Sequence, residues 1–273
     1  MRKNRLLLVC LWLVAVNAVK SIAQGTAETF YRKGRQVALL KKFDLALDFY
    51  GKVIEQNPNY FEAYRDRGAV LMEKHYYKNA AEDLTKALKL KPDSSLYNLR
   101  AVCYQQLGKN RKALKDLNLA VKWGEDSVNY HLNRATVALS INKYELALTD
   151  YKRAIDLRPN NRFAYFGYGN TLTRLQAYDE SLFFYEKALS INPYDADVHF
   201  NKGYALQELK RYPEAILAFT RAIALNKRYG RSYYLRGVCM HLIGEPKKGC
   251  QDLKKSKNLG IEDSKRALAK YCR

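Results

Sequence analysis

The 273-residue sequence predicts an all-α solenoid of antiparallel helix pairs, and three observations predict it. Small residues recur with a period of 34 or 33 residues. Each period holds two apolar stripes at helical spacing, parted by a short polar break of the Lys-Tyr or Lys-Asn type. Four of the seven periods then end in proline at one register (Pro58, Pro92, Pro159, Pro193). Hydrophobic residues make up 48% of the chain, enough for a sizeable core and against global disorder. Tyrosine outnumbers phenylalanine 22 to 10, which suits an architecture rich in half-buried positions.

The first element reads as a leader rather than part of the fold. Arg2, Lys3 and Arg5 precede an apolar run from Leu6 to Val16, and Ser21-Ile22-Ala23 supplies a small-x-small cleavage site. The run is shorter than the roughly 20 apolar residues a spanning helix needs, so residues 1–23 are expected to be a signal peptide. Removing them takes away four cations and no acid, which leaves a net charge of +17 out of +21. No cysteine follows the cleavage site to take a lipid, and no later segment is apolar enough to span a membrane. No Asn-x-Ser/Thr sequon occurs, which favours a bacterial envelope, so a periplasmic or secreted protein of a Gram-negative bacterium is expected.

Seven units follow, at 27–60, 61–93, 94–127, 128–161, 162–195, 196–229 and 230–263. Their first small residues are Gly34, Gly68, Ala101, Ala135, Gly169, Gly203 and Gly237. A second series comes 12 residues later: Ala46, Ala80, Ala113, Ala147, Ser181, Ala215 and Gly249. Small residues let two antiparallel helices approach closely, and proline stops the second helix because it cannot extend the hydrogen-bond ladder. Pro213 and Pro246 instead sit at second-helix starts, where a missing N–H costs little. One hairpin cannot bury its apolar face alone, so the units are expected to stack. Residues 264–273 read as a capping helix, with Glu262 and Asp263 at its start and Lys270 and Arg273 at its end, as a helix dipole favours.

The series Tyr165–Gly169–Leu172–Tyr178–Ser181–Tyr185–Ala188–Pro193 and Tyr64–Gly68–Leu71–Tyr77–Ala80–Leu84–Ala87–Pro92 resemble the tetratricopeptide repeat. The resemblance covers residues 27–263 and implies a right-handed superhelix whose first helices line an inner groove. The consensus tryptophan is replaced by Phe30, Tyr64, Tyr97, His131, Tyr165, His199 and Tyr233. It also implies which places face the groove: three before the small residue, one after it and four after it. In the last three units these places hold Phe166, Asn170, Phe200, Tyr204, Gln207, Tyr234 and His241, aromatics interleaved with amides that suit a peptide segment. The early units lack the basic and amide set with which some relatives clamp a chaperone tail: Tyr31 and Arg35 stand there instead.

Arginine and aspartate co-occur across the units. Arg67/Asp83, Arg100/Asp116, Arg134/Asp150 and Arg236/Asp252 are each 16 residues apart, and the three units without the arginine (Lys33, Tyr168, Lys202) also lack the aspartate. These residues are expected to form structural ion pairs within each hairpin or to its neighbour. Of the cysteines remaining after cleavage, Cys250 and Cys272 lie level on adjacent helices and are expected to pair, with Cys239–Cys250 as the rival.

No cofactor is expected, and the four histidines show no metal-ligand spacing. Nor does the sequence contain a nucleophile elbow, a phosphate loop or paired catalytic acids, so an enzyme is not expected. The function that follows is a non-catalytic scaffold for a protein or peptide, in an envelope or secretion complex. The excess basic charge points to a second reading, a peripheral protein held on anionic lipid or glycan. Export argues against nucleic acid; an RNA-binding role would require that the chain not be exported.

Overall fold

The computed structural model describes residues 26–272, so the leader expected over residues 1–23 lies outside the described residues. The described chain is helical throughout, with helices that pack in consecutive pairs. They are α1 (26–39), α2 (Phe43–Gln56), α3 (Phe61–Glu73), α4 (Tyr77–Leu90), α5 (Ser94–Gln106) and α6 (Asn110–Trp123), followed by α7 (Val128–Ser140) and α8 (Tyr144–Leu157). Then come α9 (Arg162–Arg174), α10 (Tyr178–Ile191), α11 (Ala196–Glu208), α12 (Tyr212–Leu225), α13 (Gly230–Leu242), α14 (Pro246–Asn258) and α15 (Asp263–Tyr271). Two compact units divide the chain, the first ending at Glu125 and the second running from Asp126. Among the described residues no helix is long and apolar enough to cross a membrane.

A large side chain on each second helix sits under the small residue of its partner. Tyr50, Leu84, Leu117, Tyr151, Tyr185, Phe219 and Leu253 are all essentially inaccessible to solvent. A Cβ at Gly34, Gly169 or Gly203 would lie 2.7–2.8 Å from the ring of Tyr50, Tyr185 or Phe219. Glycine therefore goes with an aromatic partner at these three crossings. In α13 and α14 the two backbones themselves meet: a Cβ at Gly249 would stand 2.6 Å from the Gly237 carbonyl oxygen. No rotamer change relieves a backbone clash, so that hairpin needs glycine where five other units hold alanine.

Each first helix ends on a left-handed residue seven positions after its small residue. Gly108 and Gly244 adopt this conformation freely, but Lys41, His75, Asn142, Gln176 and Lys210 also hold φ near +60°. The turn is closed by paired backbone bonds, as where Arg211 N–H donates to Leu206 O and Lys210 N–H to Gln207 O. Left-handed geometry costs a side-chain-bearing residue roughly 1–2 kcal/mol, while glycine gives part of that back as unfolded-state entropy. Lys210→Gly is expected to raise stability by about 0.5–1 kcal/mol, measured as a shift in urea midpoint. A loss of stability would mean that the lysine side chain holds the turn.

At the far ends of α2, α4, α8 and α10 the capping residues Asn57, Lys91, Arg158 and Asn192 are extended, as a following proline demands. Asn226 takes the same conformation (φ −138°, ψ 95°) with Lys227 after it, so stacking alone enforces this bend. The last pair departs from this pattern. Gly260, at φ +87°, ends α14 and turns the chain directly into α15. Ser264 Oγ then donates to Ser256 Oγ, which donates to the Gly230 carbonyl, and a Cys250–Cys272 disulfide ties the far end of α15 to α14.

Candidate partner-binding surfaces

The four Arg–Asp pairs are two-pronged. Nε and one terminal nitrogen of Arg67, Arg100, Arg134 and Arg236 donate to both oxygens of Asp83, Asp116, Asp150 and Asp252 at 2.7–2.9 Å. Each pair bridges the two helices of one hairpin. Arg100 and Arg236 also reach the preceding hairpin, donating to Thr85 Oγ1 at 3.0 Å and Thr220 Oγ1 at 2.9 Å. Asp150 is the most buried of the four carboxylates and has a third partner, His131 Nδ1 at 2.7 Å. Burial pushes its carboxyl up, but hydrogen bonds from Arg134 and His131 outweigh that and hold it below the usual carboxylate range. An ionised carboxylate only accepts, so His131 carries its proton on Nδ1 and donates. These groups brace hairpins, and the bidentate geometry commits both oxygens of each carboxylate to its own hairpin.

In the first unit the face of α1 and α3 is a charged network. Tyr31 Oη donates to Asp66 Oδ2 at 2.7 Å, and Arg65 donates to Asp66 Oδ1 at 2.7 Å and to Tyr31 Oη at 3.3 Å. A cleft of about 270 Å³ opens beside them, lined by Arg35, Ala38, Tyr50, Asp66 and Glu73. Burial, with the Asp66 charge, pushes the Tyr50 hydroxyl up to about 12, so its ring enters this cleft neutral. Tyr31 and Arg35 are legible here from the repeat register, but Asp66 is not. Its register is shared by no other acid, so periodicity does not mark it.

In the second unit α9, α11 and α13 are neighbours, and Phe166, Asn170, Phe200, Tyr204, Gln207, Tyr234 and His241 are all half-buried. Phe166 leans on Tyr185, and Phe200 on Phe219 and Tyr229, with ring centroids 4.9–6.2 Å apart. One side of each ring therefore belongs to the core. Tyr204 meets the edge of Tyr178. Asn170 accepts from the Tyr185 hydroxyl at 3.0 Å, and Gln207 accepts from the Cys239 thiol at 3.7 Å. His241 departs from the series, because its ring lies 4.3 Å from Tyr271 of α15 and its Nδ1 is buried with no hydrogen-bond partner. The closing helix thus covers this last position.

Cys250 and Cys272 are joined, whereas Cys103 and Cys239 are free and buried. Burial pushes the Cys103 thiol up to about 11 and the Cys239 thiol up to about 12, so neither is a reactive thiolate at neutral pH.

Models of the tetratricopeptide repeat match residues 94–126, 132–196 and 196–229. Among relatives, a DnaJ protein P58IPK homolog from Oryza sativa subsp. japonica is 42% identical over 67 residues, 24% of this chain and 14% of that protein. The chain thus matches only a small part of that relative. Among solved structures, a tetratricopeptide repeat protein from Parabacteroides merdae superposes with a TM-score of 0.70 at 17% identity, over 91% of this chain and 100% of that one. YrrB, described as a tetratricopeptide-repeat protein with an unusual peptide-binding site, has a TM-score of 0.57 at 22% identity, over 67% of this chain and 95% of its own.

Proposed function

The chain belongs to the tetratricopeptide-repeat family, and on that premise we propose that it is a non-catalytic scaffold holding a peptide segment on the first helices of its second unit. The observation that carries this reading is the run of half-buried rings, Phe166, Phe200, Tyr204 and Tyr234, on neighbouring helices. Phe166 and Phe200 are fixed on one side by the core, so little side-chain entropy is lost when a ligand covers them. The amides of Asn170 and Gln207, already oriented by Tyr185 and Cys239, lie between the rings to read backbone groups. The peptide-binding site named for YrrB favours a ligand of this kind.

The proposed setting is the envelope of a Gram-negative bacterium, in an assembly such as a secretion complex. The disulfide on α14 and α15 supports it, since such bonds persist in oxidising compartments. So does the leader pattern of residues 1–23.

Affinity capture from native envelope tests the reading, with the mature chain beside a Tyr204→Ala, Tyr234→Ala variant. These two rings are chosen because Phe166 and Phe200 also hold the core. A protein retained by the mature chain and lost by the variant, at equal helicity, is the expected result. Retention by both would move the partner to another surface. A second reading rests on α14, whose exposed Lys247, Lys254, Lys255 and Lys257 form no ion pair with the described residues. If they dock the chain on anionic lipid or glycan, release by moderate salt is expected.

A further inference from the structure

The second helices of the second unit carry a different anomaly. Two residues after the second small residue of each unit, five units hold a polar side chain: Asp48, Glu82, Lys115, Thr149 and Gln251. Only Phe183 and Leu217 break the rule, and they stand on α10 and α12, 55% and 68% exposed. The next register, where Asp83, Asp116, Asp150 and Asp252 bind their arginines, is equally informative. Four hairpins fill that place with an ion pair. Two fill it with stacked rings: Tyr168 on Phe184, centroids 4.1 Å apart, and Phe30 against Phe49 at 6.2 Å. The sixth hairpin has Lys202 and Ala218 there, which make neither an ion pair with each other nor a ring stack. An open cleft of about 560 Å³ results, floored by Leu206 and Ala218, with Leu217 at its lip and His199 where Phe30 and Tyr165 stand in the ring-filled hairpins.

The charges around the cleft select its occupant further. Lys202 is bonded to Glu186 at 3.0 Å, and Glu214, also lining it, takes both prongs of Arg211 at 2.7 Å. Arg221 has no carboxylate partner among the described residues. Arg221 is therefore open to a carboxylate from outside the chain.

We propose that the cleft between α11 and α12 is a second binding site, which takes an aromatic side chain of a polypeptide partner against Ala218, with an adjacent carboxylate on Arg221. Two sister hairpins show that the place admits an aromatic ring, since there the chain supplies one itself. A polypeptide is the fitting source because the cleft is open and continues into exposed Leu217, so a flanking residue can cover apolar surface that a free acid would leave wet. The cleft is lined by α12 and by His199, Lys202 and Leu206 of α11, none of which belongs to the first-helix set above, so it is independent of that reading.

The test is an NMR titration of the isotope-labelled mature chain with the peptide Ac-Gly-Phe-Asp-Gly-NH2, beside Ac-Gly-Ala-Asp-Gly-NH2 and Ac-Gly-Phe-Lys-Gly-NH2. Saturating shifts of the Leu206, Leu217 and Ala224 amides with the first peptide alone are expected. Ala218→Phe, which copies Phe184, should abolish them. Arg221→Glu, at an exposed position that cannot disturb the core, should raise the midpoint about two- to fivefold, as loss of an exposed ion pair allows. Tyr204→Ala with Tyr234→Ala should leave the titration unchanged, which separates this site from the first-helix face. Absence of saturating shifts at these amides, equal response to the alanine peptide, or an unchanged midpoint in Arg221→Glu would overturn the proposal. So would concentration-dependent shifts of the same amides without peptide, which would identify a second copy of the chain as the occupant.

Discussion

Arg134→Met is expected to destabilise the second unit by about 3–5 kcal/mol, because it strands the most buried carboxylate of the four hairpin pairs. Asp150 is 1% exposed, and His131 alone would then remain to compensate its charge. Asp150→Leu removes the acid instead and leaves Arg134, whose side chain is 17% exposed and can partly turn to water, so its cost should be smaller. The double variant should recover most of the loss, since an apolar pair of similar volume needs no desolvated charge. Urea midpoints of the four proteins measure the coupling. Additive losses would mean that the pair contributes packing and no specific electrostatic interaction.

The same carboxylate sets an acid limit. Its folded pKa is depressed below the ordinary 3.8, so the stability it contributes is present above that value and lost as pH falls through the folded one. Wild-type stability should drop steeply below about pH 4, and the Arg134→Met, Asp150→Leu variant should lack that part of the slope. Parallel slopes would assign acid unfolding to other groups.

Reducing the Cys250–Cys272 bond should loosen α15 far more than the helices before it. Closing a 22-residue span is worth about 3 kcal/mol by loop entropy. In a stacked-repeat fold each hairpin leans only on its neighbours, so the loss stays local. Hydrogen exchange of α15 amides should quicken about a hundredfold on reduction or in Cys272→Ser, while α9 to α12 keep their protection. His241, now under Tyr271, would be uncovered at the same time. Unchanged exchange in α15 would mean that the Ser264–Ser256–Gly230 bonds hold the helix without help.

The sequence by itself determined the helical pairs, their order and the residue types at their crossings. Those features repeat along the chain with a fixed period, so each copy corroborates the others. The co-occurrence of Arg and Asp 16 residues apart is legible for the same reason: one hairpin geometry is sampled seven times. What no residue type marks is silent, even where it recurs. Left-handed turns at Lys41, His75, Gln176 and Lys210 carry no glycine to announce them; the crossing of the two helices imposes the turn and overrides side-chain preference. The bend at Asn226 needs no proline for the same reason.

Tertiary structure alone decided the surfaces. Whether a groove position is open depends on what folds over it, and only the path of α15 places Tyr271 on His241. Asp66 joins Tyr31 through a contact between two hairpins that neither hairpin's pattern records. The Ala218 cleft is the clearest case, because a cavity is made of the side chains that are missing from it. A sequence lists the atoms present, whereas empty space is defined only by the distances between helices that packing sets.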